Sequence, residues 1–525
     1  MRDMHTLPTL SRRRMLALTG AGAGLALAGG WRRTALAASG GEIVWAKPLE
    51  TTMFDPHTAI LGSSWQLLHM IYDSLVDMDN LKPVPRLALS WENPDPRTWV
   101  FHIRKGVKFS NGREMTLEDV SGSIMRVADP KTGSFFINEL GKIDKVETTG
   151  SDEVVIRLHE SFGPVLDALS ATMTSILPMQ ELQAGTFDPT KQMLGTGPFM
   201  VESHVQDDHW VLARNPHYWE AGLPKLDKIT VRIMPADPAR IAALRDGTVD
   251  IASFEASPDA PLLVRDIPNV TAVVEDVSNY YFLGLNAVWD KSPFRNAKLR
   301  QAVVLTLDRA RIRDLALGGA GDPTTVMAPA FKSCDTSKLP LWNRDVEKAK
   351  AVLKESGAEG TSFELVVRNI PADIQMAQVV KDNVAEIGLT ANIAVIEEGV
   401  WVKRAWVDNP SQFQAMITWY AGYSDPVMST LWWNPKVAGF TAGHVPFDQA
   451  IADAINKGFT TPKNDPARAE ALQQLCTLID EQAVKVPLCT RKDTIAYRSD
   501  RLKPNLSHFE GYVNTLHGIE TYEKV

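Results

Sequence analysis

The chain runs to 525 residues, too long for one hydrophobic core, and at roughly 150 residues per domain it suggests about three domains or lobes. With 44% hydrophobic and 22% charged residues it has ordinary globular composition, which excludes a large disordered part. Its formal net charge of −8 argues against nucleic acid as a partner.

The first residues read as an address rather than as fold. Ser11-Arg12-Arg13-Arg14-Met15-Leu16 precedes an apolar, Gly/Ala-rich run from Met15 to Gly30, and Ala35-Leu36-Ala37 offers a small-residue cleavage site. Residues 1–37 thus have the form of a twin-arginine signal peptide; the run is too short and too weakly apolar for a good membrane span. No cysteine stands at the cut, so a lipid anchor is not expected. Removing this segment takes six arginines and one aspartate from totals of 55 and 63, leaving 49 Lys+Arg against 62 Asp+Glu, or −13. That balance suits a soluble periplasmic protein.

Glu42 to Ala46 reads as a strand, followed by an extended segment through Met53, Phe54 and Asp55. Ser63 to Val76 has helical spacing, with Trp65, Leu68, His69 and Tyr72 on one side. From Leu87 to Ser123 the pattern sharpens. Trp99, Phe101 and Ile103 alternate with Val100, His102 and Arg104, the period of a strand with one buried face. Lys105-Gly106 turns the chain into a second short strand through Val107 and Phe109, which Asn111-Gly112 ends. Thr116 opens a helix, with Asp119 placed to complete a capping box.

Leu87, Ser90, Trp91, Phe101, His102, Arg104, Lys105, Gly106, Lys108, Phe109, Gly112, Thr116, Glu118, Asp119 and Val120, in that order, resemble the signature of the peptide/nickel solute-binding proteins, family 5, which serve ABC importers. The resemblance implies an α/β, two-lobed periplasmic binding protein of type II, cluster C, with an extra domain inserted in the first lobe. It places lobe I at 38–80, 197–278 and 491–525, the extra domain at 81–196 and lobe II at 279–490.

Val154 to Leu158 is a further strand, and Gly195-Thr196-Gly197-Pro198-Phe199 is a turn and a second landmark of the same family. It lacks the Gly-Lys-Ser/Thr of a phosphate loop. A hairpin follows, with His204 and His209 flanking its tip and His217 nearby, at spacings that match no zinc signature. Lys228 to Ile233 is a strand; Asp237 caps a helix that Gly247 ends. From Tyr280 the pattern becomes longer βαβ units: strands at 281–286, 363–367 and 389–396, and helices at 296–317, 345–356 and 373–387. This alternation argues a mostly parallel sheet covered on both faces. Ala467 to Gln482 is helical, and Lys485 to Thr490 and Ile495 to Tyr497 are strands. Cys334, Cys476 and Cys489 stand in an oxidising compartment; Cys476 and Cys489 either pair or remain buried thiols.

Between Val400 and Trp433 lie Trp401, Trp406, Trp419, Trp432 and Trp433 with Tyr420 and Tyr423, amphipathic aromatics of the kind that line a cleft, of which about half are expected in the core. The strand Phe413 to Trp419 ends in the loop Tyr420-Ala421-Gly422-Tyr423-Ser424-Asp425-Pro426, at the carboxyl end where open α/β sheets form their crevice. In peptide-binding relatives an aspartate before the Asp-Pro holds the ligand's ammonium; here Gly422 or Tyr423 occupies that place. Asp425 either meets the ligand or forms the turn. Arg404 can meet a ligand carboxylate, and Met53 and Tyr281 are candidates from the opposite lobe and the crossover.

The expected protein is therefore the periplasmic solute-binding subunit of an ABC importer. It is a monomer that binds a small peptide-like or opine-like ligand at Met53, Tyr281, Trp401, Arg404, Trp419, Tyr420, Tyr423 and Asp425 and hands it to a membrane permease. No cofactor, no resident metal and no catalysis are expected. The rivals are a nickel-chelate or oligosaccharide binder of the same fold and a secreted hydrolase, the last opposed by the lack of Gly-x-Ser-x-Gly and His-Glu-x-x-His motifs.

Overall fold

The computed structural model describes all residues except 1–39, 135, 141, 256, 258, 276, 277, 421 and 507–515. The twin-arginine segment and its cleavage site lie outside the described residues.

Three larger sheets carry the fold. The first has seven strands in the order Val270–Glu275, Asp493–Arg498, Ile251–Phe254, Glu42–Lys47, Lys228–Ile233, His209–Arg214, Phe199–Val205. Glu42–Lys47 pairs in parallel with both its neighbours, placing Ile43 beside Ile229 and Trp45 beside Val231 on the main core face. Val44 and Ala46 face the other way, against Leu244 and Ala243 of the helix Asp237–Asp246. Ala236, rather than Asp237, is that helix's cap residue, and Gly247 ends it in the left-handed region. The near-terminal strand Asp493–Arg498 fills the gap between two earlier strands, antiparallel to both.

The second sheet is antiparallel throughout: Ala88–Asp95, Thr98–Ile103, Glu153–Leu158, Ile143–Thr149. The strand read from Trp99, Phe101 and Ile103 is present, but its hairpin partner is the preceding run Ala88–Asp95. Residues 107–109 make only an isolated bridge, Lys108 to Glu114, because both edges of Thr98–Ile103 are already taken. The helix Leu117–Ala128 starts on the expected capping box of Thr116 and Asp119. Asp119 also takes two hydrogen bonds from Arg113, at 2.8 and 2.9 Å.

The third sheet has the order Thr390–Ile396, Ser362–Arg368, Ala415–Tyr420, Tyr280–Leu285, Lys485–Thr490. It is mixed rather than mostly parallel: the first three strands run parallel, and Tyr280–Leu285 is antiparallel to both its neighbours. The reason is the direction in which the chain enters from the first sheet. The single helix expected over 296–317 is two, Ala297–Thr306 and Arg309–Ala316, because Asp308 caps a new helix by accepting from Arg311 N–H. Ser63 to Val76 likewise holds only a short helix, Gly62–Leu68, before the chain turns into the strand Val76–Asp79.

The disulfide joins Cys334 to Cys476, with Cα atoms 6.1 Å apart, and Cys489 is a free buried thiol. Cys476 and Cys489 lie on opposite sides of the third sheet: Cys476 packs in the main core, Cys489 in the core beneath the helices. Closing a loop of 142 residues removes much unfolded-state entropy. Cys334→Ser is expected to lower unfolding free energy by about 2–4 kcal/mol, read from the urea midpoint. Alkylation of unreduced, unfolded protein should label Cys489 alone; label on Cys334 or Cys476 would refute the pairing.

Candidate functional site

The chain crosses from the first sheet to the third between the strands Val270–Glu275 and Tyr280–Leu285, and back at 491–492. Arg491 N–H donates to the Asn279 carbonyl at 2.8 Å, so the two crossings are tied to each other. Arg491 itself is only 2% exposed in its side chain. Its guanidinium bonds Asp493 at 3.1 and 3.2 Å and reaches Glu255 at 3.4 Å, both on the first-sheet side. It lies 4.0 Å from the ring centre of Trp419, which ends a strand of the third sheet. Burial alone would lower its affinity for the proton, but Asp493, Tyr281 and Glu255 more than offset this and hold it charged.

Around this guanidinium the charges alternate. Gln66 Nε2 donates to the other Glu255 oxygen at 2.9 Å. Lys47, at the end of the first strand, donates to Thr51 Oγ1 at 3.1 Å and to the Ser63 carbonyl at 2.5 Å. Burial pulls the Lys47 ammonium down to about 8, against the opposing pull of Glu255 and Glu50. On the third-sheet side Arg368 closes the strand Ser362–Arg368, bonds Asp373 at 2.9 Å and sits 5.3 Å from the ring centre of Trp401. Burial raises Asp373 despite Arg368 beside it. Tyr281 is surrounded by Arg491, Asp373, Asp493 and Arg368, and burial raises its hydroxyl.

Tyr281 Oη, Asp373 Oδ1 and Trp401 Nε1 are buried without a hydrogen-bond partner in this structure. Such groups are costly unless something outside the chain completes them. The cluster thus offers two guanidiniums, carboxylates on both sides, and two indoles, at the carboxyl ends of Ser362–Arg368 and Ala415–Tyr420.

The eight residues expected at the site divide. Tyr281, Trp401 and Trp419 come together here. Met53 is half-buried in the facing loop, where its N–H donates to Ser64 Oγ at 3.2 Å. Arg404 is spent on Glu364 at 2.5 Å and the Gln412 carbonyl at 2.7 Å, toward the other end of its strand. Tyr420 faces the opposite side of the sheet, stacked on Phe282 at 4.4 Å. Tyr423 packs among Trp432 and Phe136, at 6.1 and 6.3 Å. Asp425 takes two bonds from Arg468, at 2.8 and 2.9 Å, and one from Val427 N–H at 3.0 Å. Trp432 and Trp433 are both buried in the core. Arg368, Asp373, Glu255 and Arg491 escaped the sequence reading, although a charged residue closing an apolar strand was a visible signal for two of them. His204 lies flat on Trp210 with its Nε2 3.3 Å from Glu50, and His209 bonds Asp208.

Gly422 explains the missing aspartate of the loop. Its N–H donates to Asn279 Oδ1 at 2.5 Å, and a Cβ there would fall 2.4 Å from the Ser278 carbonyl carbon. Only glycine allows the loop to approach the crossing segment this closely.

The family model for bacterial extracellular solute-binding proteins, family 5, matches residues 82–440. The chain belongs to this family, and it is a solute-binding protein. It is 27% identical to the glutathione-binding protein GsiB of Salmonella choleraesuis over 388 residues, 73% of this chain and 75% of the relative. In fold it is similar to the periplasmic binding protein AgaA from A. tumefacien R10 in complex with agropinic acid, with a TM-score of 0.79, 22% identity and coverage of 92% and 98% of the two chains. It is equally similar to the periplasmic binding protein DppA of Helicobacter pylori in complex with the peptide STSA, with a TM-score of 0.79, 22% identity and coverage of 93% and 98%.

Two outcomes follow. Gly422→Asp should not create an ammonium site but destabilise the fold by about 1–3 kcal/mol, seen as a lowered urea midpoint. Lys47 is protonated in both states below pH 8; between pH 8 and its unfolded value near 10.5 only the unfolded chain holds the proton. Stability should therefore rise across that window by up to roughly 3 kcal/mol, and this rise should vanish in Lys47→Met.

Proposed function

We propose that this chain is the exported, monomeric binding subunit of an ABC importer, sent to the periplasm by its twin-arginine segment. It captures a small zwitterionic solute, peptide-like or opine-like, and delivers it unchanged to a membrane permease. The observation that carries the ligand class is the ring of paired charges around the unpartnered Tyr281 hydroxyl, walled by Trp401 and Trp419. A ligand carboxylate exchanges into the Arg368 or Arg491 fork, a ligand ammonium meets Asp373 or Glu255, and the indoles cover its apolar part. Met53 contributes from the facing loop. Arg404, Tyr420, Tyr423 and Asp425 act behind this surface, holding lobe II in shape. Relatives whose names speak of glutathione, agropinic acid and a peptide support a compact, charged ligand.

Closure about the two crossings follows from binding both lobes at once: the ligand favours the closed state by its extra contacts there. Several such contacts suffice for micromolar affinity, about −8 kcal/mol.

The test is a thermal-shift panel of tripeptides including glutathione, opines and nickel-histidine, with native mass spectrometry of protein from its own periplasm. A true ligand at 100 times its Kd adds about 2.7 kcal/mol of stability. Trp419→Ala should weaken its binding by about tenfold or more, since an indole over the ligand contributes of order 1–2 kcal/mol. No shift with any zwitterion, or a ligand recovered with altered mass, overturns the reading.

A further inference from the structure

The unit built on the second sheet touches the body of the third sheet through Phe136, whose ring centre lies 6.3 Å from that of Tyr423, and through the segment 161–167. Phe162 stacks on Phe459 with ring centres 5.3 Å apart. Gly163 N–H donates to the Phe459 carbonyl at 2.7 Å, and Ser161 Oγ to the Thr460 carbonyl at 3.0 Å. A Cβ on Gly163 would stand 3.1 Å from the Thr461 carbonyl oxygen, so a side chain there would press on the facing backbone. Next to these contacts lies a row of charges in which Asp167, Asp425 and Arg468 are buried and the Lys463 side chain is 36% exposed. Lys463 pairs with Asp167 of the second-sheet unit and, at 3.3 Å, with Asp425 of the third-sheet body; Arg468 closes the row on Asp425. Both aspartate side chains are buried, Asp167 fully and Asp425 to 1% exposure.

The second-sheet unit is joined far more firmly to the first-sheet body. Arg126 holds Asp55 through two bonds, at 3.1 and 2.6 Å, His57 Nε2 bonds the Ser175 carbonyl at 2.8 Å, and Ile176 N–H donates to the Asp73 carbonyl at 2.9 Å. Opening at the crossings therefore carries this unit away with the first-sheet body and separates Ser161, Gly163 and Asp167 from Phe459, Thr460 and Lys463. Two buried aspartates face one another across that gap, and Lys463 is the cation set between them. Burial and Asp425 push Asp167 up, Lys463 opposes both, and Lys463 with Arg468 holds Asp425 down against its own burial.

We propose that the Phe162/Phe459 stack and the Asp167–Lys463–Asp425 row form a latch that holds the second-sheet unit against the third-sheet body and so keeps the two lobes closed. The latch takes no part in binding the solute; it sets the closed population and hence how long a bound solute is retained. Severing it removes a charge partner that only the closed state provides, and shifts the balance toward the open state.

The test reads distance and needs no ligand, so it stands apart from the ligand class proposed above. Spin labels at Lys145→Cys in the second-sheet unit and Lys354→Cys in the third-sheet body report lobe separation by pulsed electron resonance; the native thiol Cys489 is buried and unlabelled. The parent protein should show a short-distance population. Lys463→Gln, and separately Asp167→Asn, should reduce it by about tenfold relative to the long-distance one, with circular dichroism unchanged. If Lys463→Gln does not fold, Asp167→Asn with Lys463→Met removes both charges together and should show the same loss. Distance distributions equal to the parent's in the folded variants, or no short population in the parent, overturn the latch.

Discussion

Everything at the centre of this molecule depends on a buried guanidinium. Arg491 belongs to the segment that joins the third sheet to the first, and taking its charge out of water costs several kcal/mol unless partners replace the solvent. Those partners come from both bodies: Asp493 and Glu255 on one side, the face of Trp419 on the other. Its backbone N–H meanwhile ties the second crossing to the first through Asn279. A motion that separates the lobes must loosen one of these contacts.

The strand Ala415–Tyr420 shows how a single pleat divides labour. Trp419 and Tyr420 are adjacent and therefore point to opposite faces. Trp419 pairs across the sheet with Tyr281 and joins the charged crevice, whereas Tyr420 pairs with Tyr280 and enters an aromatic core with Phe282 and Trp432. A shift of one residue in register would exchange the two roles, so the core that fixes the register also fixes the site. The density of tryptophan after Val400 thus serves two ends: Trp401 and Trp419 pack on the guanidiniums of Arg368 and Arg491, while Trp432 and Trp433 fill the lobe.

Two charge clusters with buried carboxylates, one around Arg491 and one at Asp425, share a design. Each places a basic side chain between carboxylates drawn from elements far apart in the chain, separated by 236 residues for Arg491 and Glu255. Such clusters add little net stability compared with apolar packing, but they tolerate only the arrangement in which every charge is paired. They therefore specify relative position more than they strengthen the fold.

Local order in this chain was legible from residues close together. The capping box at Thr116 and Asp119, the helix ended by Gly357, the helix Ala467–Gln482 and the strand Lys485–Thr490 all follow from spacing, caps and propensity within a dozen residues. The run from Leu87 to Val120 also carried the family, since a long ordered set of residue types is seldom shared by chance. What the sequence could not carry was the outcome of contacts between distant segments. Cys476 finds Cys334 rather than Cys489 because the third sheet lies between the latter two, and Thr98–Ile103 pairs with the run before it because that edge is reached first. Arg404 and Asp425 look like ligand groups in a one-dimensional reading, yet Glu364 and Arg468 claim them once the chain is folded. Burial decides these cases: a charge removed from water must be paired by whatever the fold brings near, and only the tertiary structure says what that is.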